Sequence, residues 1–133
     1  MNSVVLDSAA VLAMILKEPG GERVSALLDA IDLGKPVQVA ISAVNWCEIL
    51  SKLHRENRNM TADELAALLS GVELVPFEQS LAELAASYAP ANPAFSLGDR
   101  ACLALAATFK AKAWTTDKAW ARAKVGAQIE ILR

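Results

Sequence analysis

Asp99 is the acidic residue whose position most clearly calls for a chemical explanation. It lies in the first turn of a strongly apolar predicted helix that begins near residue 96 and runs to about residue 112. At 100° per residue, Asp99 falls within the apolar arc of that helix. An acid that faces the core must be neutralised, hydrogen-bonded or bound to a cation. The spacing from Ser96 to Asp99 is equally typical of a capping box, which would make the role of Asp99 structural.

Two further acids follow predicted strands. Asp7 follows the strand 4–6, and Asp117 follows the strand 113–116. In parallel sheets, ligands bind beyond the carboxyl ends of the strands, so both carboxylates are candidates for one site. Each acid is also a plausible N-cap for the helix that follows it.

Glu48 gives a different pattern. On its predicted helix, 42–56, it lies opposite a cluster of large apolar side chains, so periodicity predicts a solvated acid. The case for chemistry is therefore collective. Carboxylates within about 4–6 Å raise each other's pKa unless a cation compensates them. Oxygen-only ligands select hard ions such as Mg²⁺, which can activate water for phosphodiester hydrolysis.

The elements that must position these acids alternate between strand and helix. Strands are predicted at 4–6, 37–41, 73–77, 113–116 and 129–132, with helices between them. This alternation predicts a three-layer α/β/α fold with a mainly parallel central sheet of four to five strands. The length of 133 residues predicts one domain over 1–133.

Composition narrows the class of protein. An apolar content of 54% argues against disorder, and the apolar run 9–16 is too short to span a bilayer. No basic residue precedes that run, so we expect no signal peptide and a cytoplasmic protein. Cys47 and Cys102 fall on apolar arcs and are predicted to be buried, reduced thiols. His54 is predicted at the surface, and these three residues are too few for structural zinc.

Charge gives a weaker indication. The net charge of −2 provides no general attraction to nucleic acid. Between residues 100 and 124, however, six of the seven charged residues are basic, which suggests a footprint for a phosphate backbone. A solvated helix face explains the same pattern. Arg100 is ambiguous: it either binds RNA or pairs with a neighbouring acid.

Four short segments, in their order and spacing, resemble PIN-domain ribonucleases of the VapC type, the toxins of type II toxin–antitoxin pairs. They are DSAA from residue 7, ISAVNWCE from residue 41, LGDRA from residue 97 and WTTD from residue 114. Together they extend the resemblance over nearly the whole chain.

The resemblance implies roles for particular residues. It identifies an acidic set that binds Mg²⁺ or Mn²⁺ and carries catalysis, namely Asp7, Glu48, Asp99 and Asp117. Asp7 and Asp99 would be direct ligands, while Glu48 and Asp117 would act through water or assist the nucleophile. Ser8 and Thr116 would be secondary polar contacts. The resemblance also implies an RNA substrate, a cognate antitoxin and a homodimer, and it moves Glu48 from solvent into the site.

The sequence therefore predicts a metal-dependent endoribonuclease. One alternative is a non-catalytic α/β signalling module with an acidic Mg²⁺ pocket. In such modules, paired acids follow the first strand and a lysine closes the fifth. Here Asp7 has no acidic neighbour, and the last strand lacks lysine. A partner-binding protein with helices as its interface is a third possibility, and it predicts no effect of metal on thermal stability.

Overall fold

Five parallel strands form one continuous sheet. A computed structural model describes residues 2–133. The strands are β1 (Asn2–Leu6), β2 (Val37–Ser42), β3 (Glu73–Val75), β4 (Lys112–Thr115) and β5 (Gln128–Ile131). Their order across the sheet is β3-β2-β1-β4-β5, and every neighbouring pair is parallel. The predicted mainly parallel sheet of four to five strands is confirmed.

The helices cover both faces of this sheet and complete the predicted three-layer α/β/α fold. They are α1 (Ser8–Ile15), α2 (Gly21–Asp32), α3 (Ala43–Arg55), α4 (Ala62–Leu68), α5 (Gln79–Ser87) and α6 (Leu97–Phe109), and a 3₁₀ turn spans Lys118–Arg122. Strand β1 shows why two layers are needed. Val4 and Leu6 belong to the core on one face, whereas Val5 belongs to the core on the other. A strand buried on both faces reads as a continuous apolar run.

Strand ends differ from prediction by one or two residues, for local reasons. The third strand stops at Val75 rather than residue 77, because Pro76 has no N–H with which to continue the pairing. Helix α6 ends at Phe109 rather than near residue 112, because Lys110 adopts a left-handed conformation with φ of 52°. Strand β4 therefore begins at Lys112 and ends at Thr115, one residue earlier than predicted.

The order of the strands creates a crevice between β1 and β4. From β1 the chain moves to β2 and β3 on one side, and it returns to β4 on the other side of β1. Crevices at such a reversal are the usual ligand sites of open α/β sheets. Leu6 and Trp114 are paired in register, and the backbone N–H of Asp7 donates to the carbonyl oxygen of Trp114 at 3.1 Å.

Two predictions about single residues have opposite outcomes. Cys102 is buried and reduced as predicted, whereas Cys47 is exposed, so that part of the prediction is wrong. The core-facing side of α3 carries Asn45, Ile49 and Leu53, and Cys47 lies outside this stripe. His54 is exposed in the last turn of α3, as predicted. Within residues 2–133, no helix combines the length and the apolar character needed to cross a bilayer.

Candidate active site

Asp7 is a buried acid at the carboxyl end of the central strand, with 3% of its surface exposed. Its Oδ1 accepts a hydrogen bond from the backbone N–H of Ala10 at 2.7 Å, so the predicted N-cap role is confirmed. Its Oδ2 accepts from the hydroxyl of Thr115 at 2.5 Å, which joins β1 to β4. Both oxygens are thus oriented by neutral donors.

The environment of Asp7 opposes its negative charge. Burial raises the pKa of Asp7 to about 7, and the charges of Asp99 and Glu48 act in the same direction. The hydrogen bonds from Thr115 and Ala10 lower the pKa without cancelling the effect of burial. A cation beside Asp7 would favour the ionised form, because opposite charge stabilises a carboxylate.

Glu48 reaches the same crevice from α3. It is half-buried, and its Oε1 accepts hydrogen bonds from the Ser8 hydroxyl at 2.9 Å and from Asn45 Nδ2 at 2.8 Å. Its carboxylate packs directly on Gly98, where a Cβ would overlap it. The periodicity-based interpretation of Glu48 as a solvated acid is therefore wrong, because the polar side of α3 faces other protein groups here.

Asp99 combines a capping role with proximity to the other acids. Its Oδ2 accepts from the backbone N–H of Ser96 at 2.9 Å, and the Ser96 hydroxyl accepts from the Asp99 N–H at 3.1 Å. The predicted capping box is confirmed.

The Cys102 thiol lies near three of the acids. Burial raises the pKa of the Cys102 thiol, and the charges of Asp7, Asp99 and Glu48 raise it further. Three acids therefore act together on one buried thiol of α6.

Asp117 occupies the rim of the crevice. It is exposed and caps the 3₁₀ turn, since its Oδ1 accepts from the Ala119 N–H at 2.9 Å. Its own N–H donates to Thr115 Oγ1 at 3.0 Å, so one hydroxyl connects it with Asp7. The structure thus brings three of the predicted acids close together and holds the fourth at their edge.

Thr116 and Arg100 have different surroundings from those expected. Thr116 is buried, and its carbonyl oxygen accepts from Arg133 Nε at 3.0 Å. Arg100 Nη1 donates to the carbonyl oxygen of Ala85 at 3.3 Å. Arg100 forms no ion pair within the described part of the chain, so the alternative in which it pairs with a neighbouring acid is wrong. Its contact with RNA stays a prediction.

Three residues of this crevice were missed from the sequence: Thr115, Asn45 and Gly98. Thr115 lies two positions before Asp117, a spacing at which a threonine hydroxyl can accept from the later backbone N–H. Asn45 lies three positions before Glu48, on the same helix face. Neither signal stands out without knowledge of the neighbouring strand and helix.

The donor set fits a hard divalent ion that keeps much of its water. Among residues 2–133, no group of three or more His, Cys, Asp or Glu side chains is arranged to enclose a metal, so the four acids do not form a complete cage. Mg²⁺ usually takes only one or two protein carboxylates. Among residues 2–133, none of the four acids forms an ion pair with a cationic side chain. A buried, uncompensated Asp7 beside Asp99 and Glu48 matches such an ion.

The basic residues near the crevice come from unexpected segments. Lys112 begins β4, so it lies at the amino ends of the strands, whereas Asp7 lies at their carboxyl ends. The predicted basic footprint over 100–124 is therefore divided between the two ends of the strands. A groove of about 650 Å³ adjoins Glu48 and is lined by Arg55, among other residues. A cleft of about 260 Å³ adjoins Ser8, and its cationic residues are Lys52 and Arg133.

Comparison with known proteins identifies the class to which this fold and crevice belong. The profile of the PIN-domain family matches residues 4–126. The chain therefore belongs to the PIN-domain family. No curated protein gave a match.

Several solved structures share the fold over nearly the whole chain. VapBC2 from Rickettsia felis, bound to a promoter DNA fragment, is similar with a TM-score of 0.73 at 15% identity, covering 98% of this chain and 99% of that one. A sarcin–ricin-loop-cleaving VapC toxin from Mycobacterium tuberculosis has a TM-score of 0.67 at 18% identity, with 89% and 92% covered. A VapBC toxin–antitoxin structure from Mycobacterium tuberculosis has a TM-score of 0.60 at 22% identity, with 100% and 99% covered. At these sequence identities, the similarities show that the fold is shared.

Proposed function

We propose that this chain is a metal-dependent endoribonuclease and the toxin of a toxin–antitoxin pair. The observation that carries the proposal is Asp7, a buried acid without a cation, beside Asp99 and Glu48 in the crevice of a PIN fold. A purely partner-binding protein has no need for such an acid, whose burial is unfavourable. Structures with the same fold include an RNA-cleaving toxin and toxin–antitoxin complexes.

Asp7 and Asp99 would hold Mg²⁺ or Mn²⁺, with Glu48 and Asp117 acting through water or assisting the nucleophile. When bound, such an ion neutralises phosphate charge and lowers the pKa of water. Thr115 and the N-terminus of α1 fix the orientation of Asp7. The carboxylate of Glu48 is available to accept a proton from the attacking water.

The substrate strand would follow the cationic residues on either side of Glu48. Arg55 lines the groove on one side, and Lys52 and Arg133 line the cleft beside Ser8. Cationic side chains neutralise backbone phosphates, and an aromatic side chain such as Phe77 in the groove can stack on a base. We assign the reaction to RNA in the cytoplasm, with a cognate antitoxin and a second copy of the chain as partners.

Cleavage of a fluorescent RNA library tests the nuclease activity. We expect cleavage with Mg²⁺ or Mn²⁺, none with a chelator, and losses of roughly 100-fold or more for Asp7→Asn and Asp99→Asn, since general acid–base and electrostatic groups contribute that much. Glu64→Gln is the matched control, because Glu64 completes a capping box with Thr61 on α4, as Asp99 does with Ser96 on α6. Folded acid variants that keep full activity would contradict the mechanism.

A further inference from the structure

Asn45 is a buried polar residue of the crevice that has no role in the proposed chemistry. Only 1% of its surface is exposed. Its Nδ2 donates to Glu48 Oε1 at 2.8 Å and to the carbonyl oxygen of Gly98 at 3.1 Å. One amide group therefore joins two turns of α3 to the first turn of α6.

The orientation of this amide is fixed by its partners. A carboxylate and a carbonyl oxygen can only accept, so the NH₂ group must face Glu48 and Gly98. Asn45 Oδ1 is consequently left buried without a partner among the described residues. An unsatisfied buried acceptor destabilises the fold, and in native proteins it calls for an explanation.

The same contacts make the two oxygens of Glu48 unequal. Oε1 accepts from both Ser8 and Asn45. Oε2 accepts no hydrogen bond from residues 2–133, although the carboxylate packs against Gly98. Two donors on one oxygen prevent rotation of the carboxylate and leave the second oxygen available.

We propose that Asn45 is a positioning residue for Glu48, which saturates Oε1 so that Oε2 alone is presented to the cation or to water. This role rests on the proposed nuclease function. It accounts for the buried, unpartnered carbonyl of Asn45, because no other orientation of the amide supplies both hydrogen bonds.

The kinetic test is a double-mutant cycle of Asn45→Leu and Glu48→Gln. Asn45→Leu keeps the branched shape and the number of side-chain heavy atoms, and it removes the donors. We expect kcat to fall roughly 10–100-fold with KM for RNA unchanged, as when supporting groups of metal ligands are removed. In the Glu48→Gln background, Asn45→Leu should change kcat less than about threefold, because residues that act as a unit are not additive. Equal losses in both backgrounds would overturn the positioning role.

Asn92→Leu is the matched control for loss of a buried asparagine clamp. Asn92 is also buried, and its Nδ2 joins the carbonyl oxygens of Tyr88 and Lys124. We expect this variant to lose stability while keeping kcat within about threefold of wild type, as expected of a site that only packs.

A second measurement does not depend on RNA cleavage. The side-chain amide signal of Asn45, assigned by its loss in Asn45→Leu, should exchange with solvent far more slowly than that of exposed Asn59, and Glu48→Ala should accelerate it. An inactive wild type with this protected amide would refute the nuclease function and keep the Asn45–Glu48 contact. An amide that exchanges like that of Asn59 would overturn the positioning role itself.

Discussion

The hydroxyl of Thr115 donates to Asp7 Oδ2 at 2.5 Å across the β1–β4 pair, and it also accepts from the N–H of Asp117. One side chain thus couples the buried acid at the centre of the sheet to the exposed acid at its rim. The orientation of the hydroxyl is fixed, because its proton is donated to Asp7 while its oxygen accepts from the backbone N–H of Asp117.

Thr115→Val should therefore weaken the site. Loss of the hydrogen bond leaves Asp7 Oδ2 unpartnered, which costs about 1–3 kcal/mol of unfolding free energy, and raises the pKa of Asp7 further. We expect weaker divalent-ion binding and lower activity, whereas Thr115→Ser should restore both. Thr108→Val is the control, since Thr108 donates to a carbonyl of its own helix. Equal effects of the two valine substitutions would refute the coupling.

The stability of the metal-free protein should depend on pH through Asp7. Its pKa is about 7 when folded and near 3.8, the ordinary value of an aspartate, when unfolded. Between these values the folded state binds the additional proton, so unfolding free energy should fall as pH rises, by about 1.4 kcal/mol per pH unit. Below pH 4 and above pH 7 this contribution should be constant. Urea titrations with a chelator should show the slope in wild type and its loss in Asp7→Asn.

Divalent ions should stabilise the folded protein. A ligand that binds only the native state raises stability by mass action, and an ion beside Asp7 also relieves its burial as an anion. We expect Mg²⁺ or Mn²⁺ to raise the melting temperature of wild type, to have little effect on Asp7→Asn, and to keep a partial effect on Asp117→Asn at the rim. Identical metal responses in all three proteins would place the ion elsewhere.

Gly98→Ala should reduce activity even though alanine favours helices. In an open helix the change adds up to about 1 kcal/mol of stability. Here the new Cβ would overlap the Glu48 carboxylate, so Glu48 must move. Gly126→Ala is the control, because nothing lies within 4 Å of a Cβ at that position. We expect a fall in kcat only for Gly98→Ala, and unchanged kcat would show that the position of Glu48 is unimportant.

Charge-reversal variants should show at which end of the strands RNA binds. Arg55→Glu places a negative charge in the groove beside Glu48, so we expect KM for RNA to rise and its salt dependence to weaken, with kcat nearly unchanged. Lys112→Glu, at the amino ends of the strands, should leave KM and kcat unchanged. The reverse result would support the predicted basic footprint over 100–124 instead.

The sequence predicts the sheet well because the signals for it are local. The run Val4-Val5-Leu6 is apolar on both faces, and such a run indicates a central parallel strand. The capping boxes and N-caps are equally local, and those at Asp7 and Asp99 were predicted correctly. Each depends on residues within one turn of a helix.

The details of the crevice depend on contacts that helical periodicity does not describe. Glu48 lies on the polar side of α3, and only the approach of α6 at Gly98 makes that side part of a site. Thr116 was named from the family resemblance, whereas the hydroxyl that contacts Asp7 belongs to Thr115. Asn45 has no separate signal, since its partners lie on two different helices.

The pairing of β1 with β4 also determines when the crevice can exist. Asp7 leaves the ribosome well before the hydroxyl that orients it, because Thr115 is translated 108 residues later. A nascent chain that has reached only α6 lacks this partner. Any reaction that needs an oriented Asp7 is therefore postponed until β4 has been translated and has paired with β1.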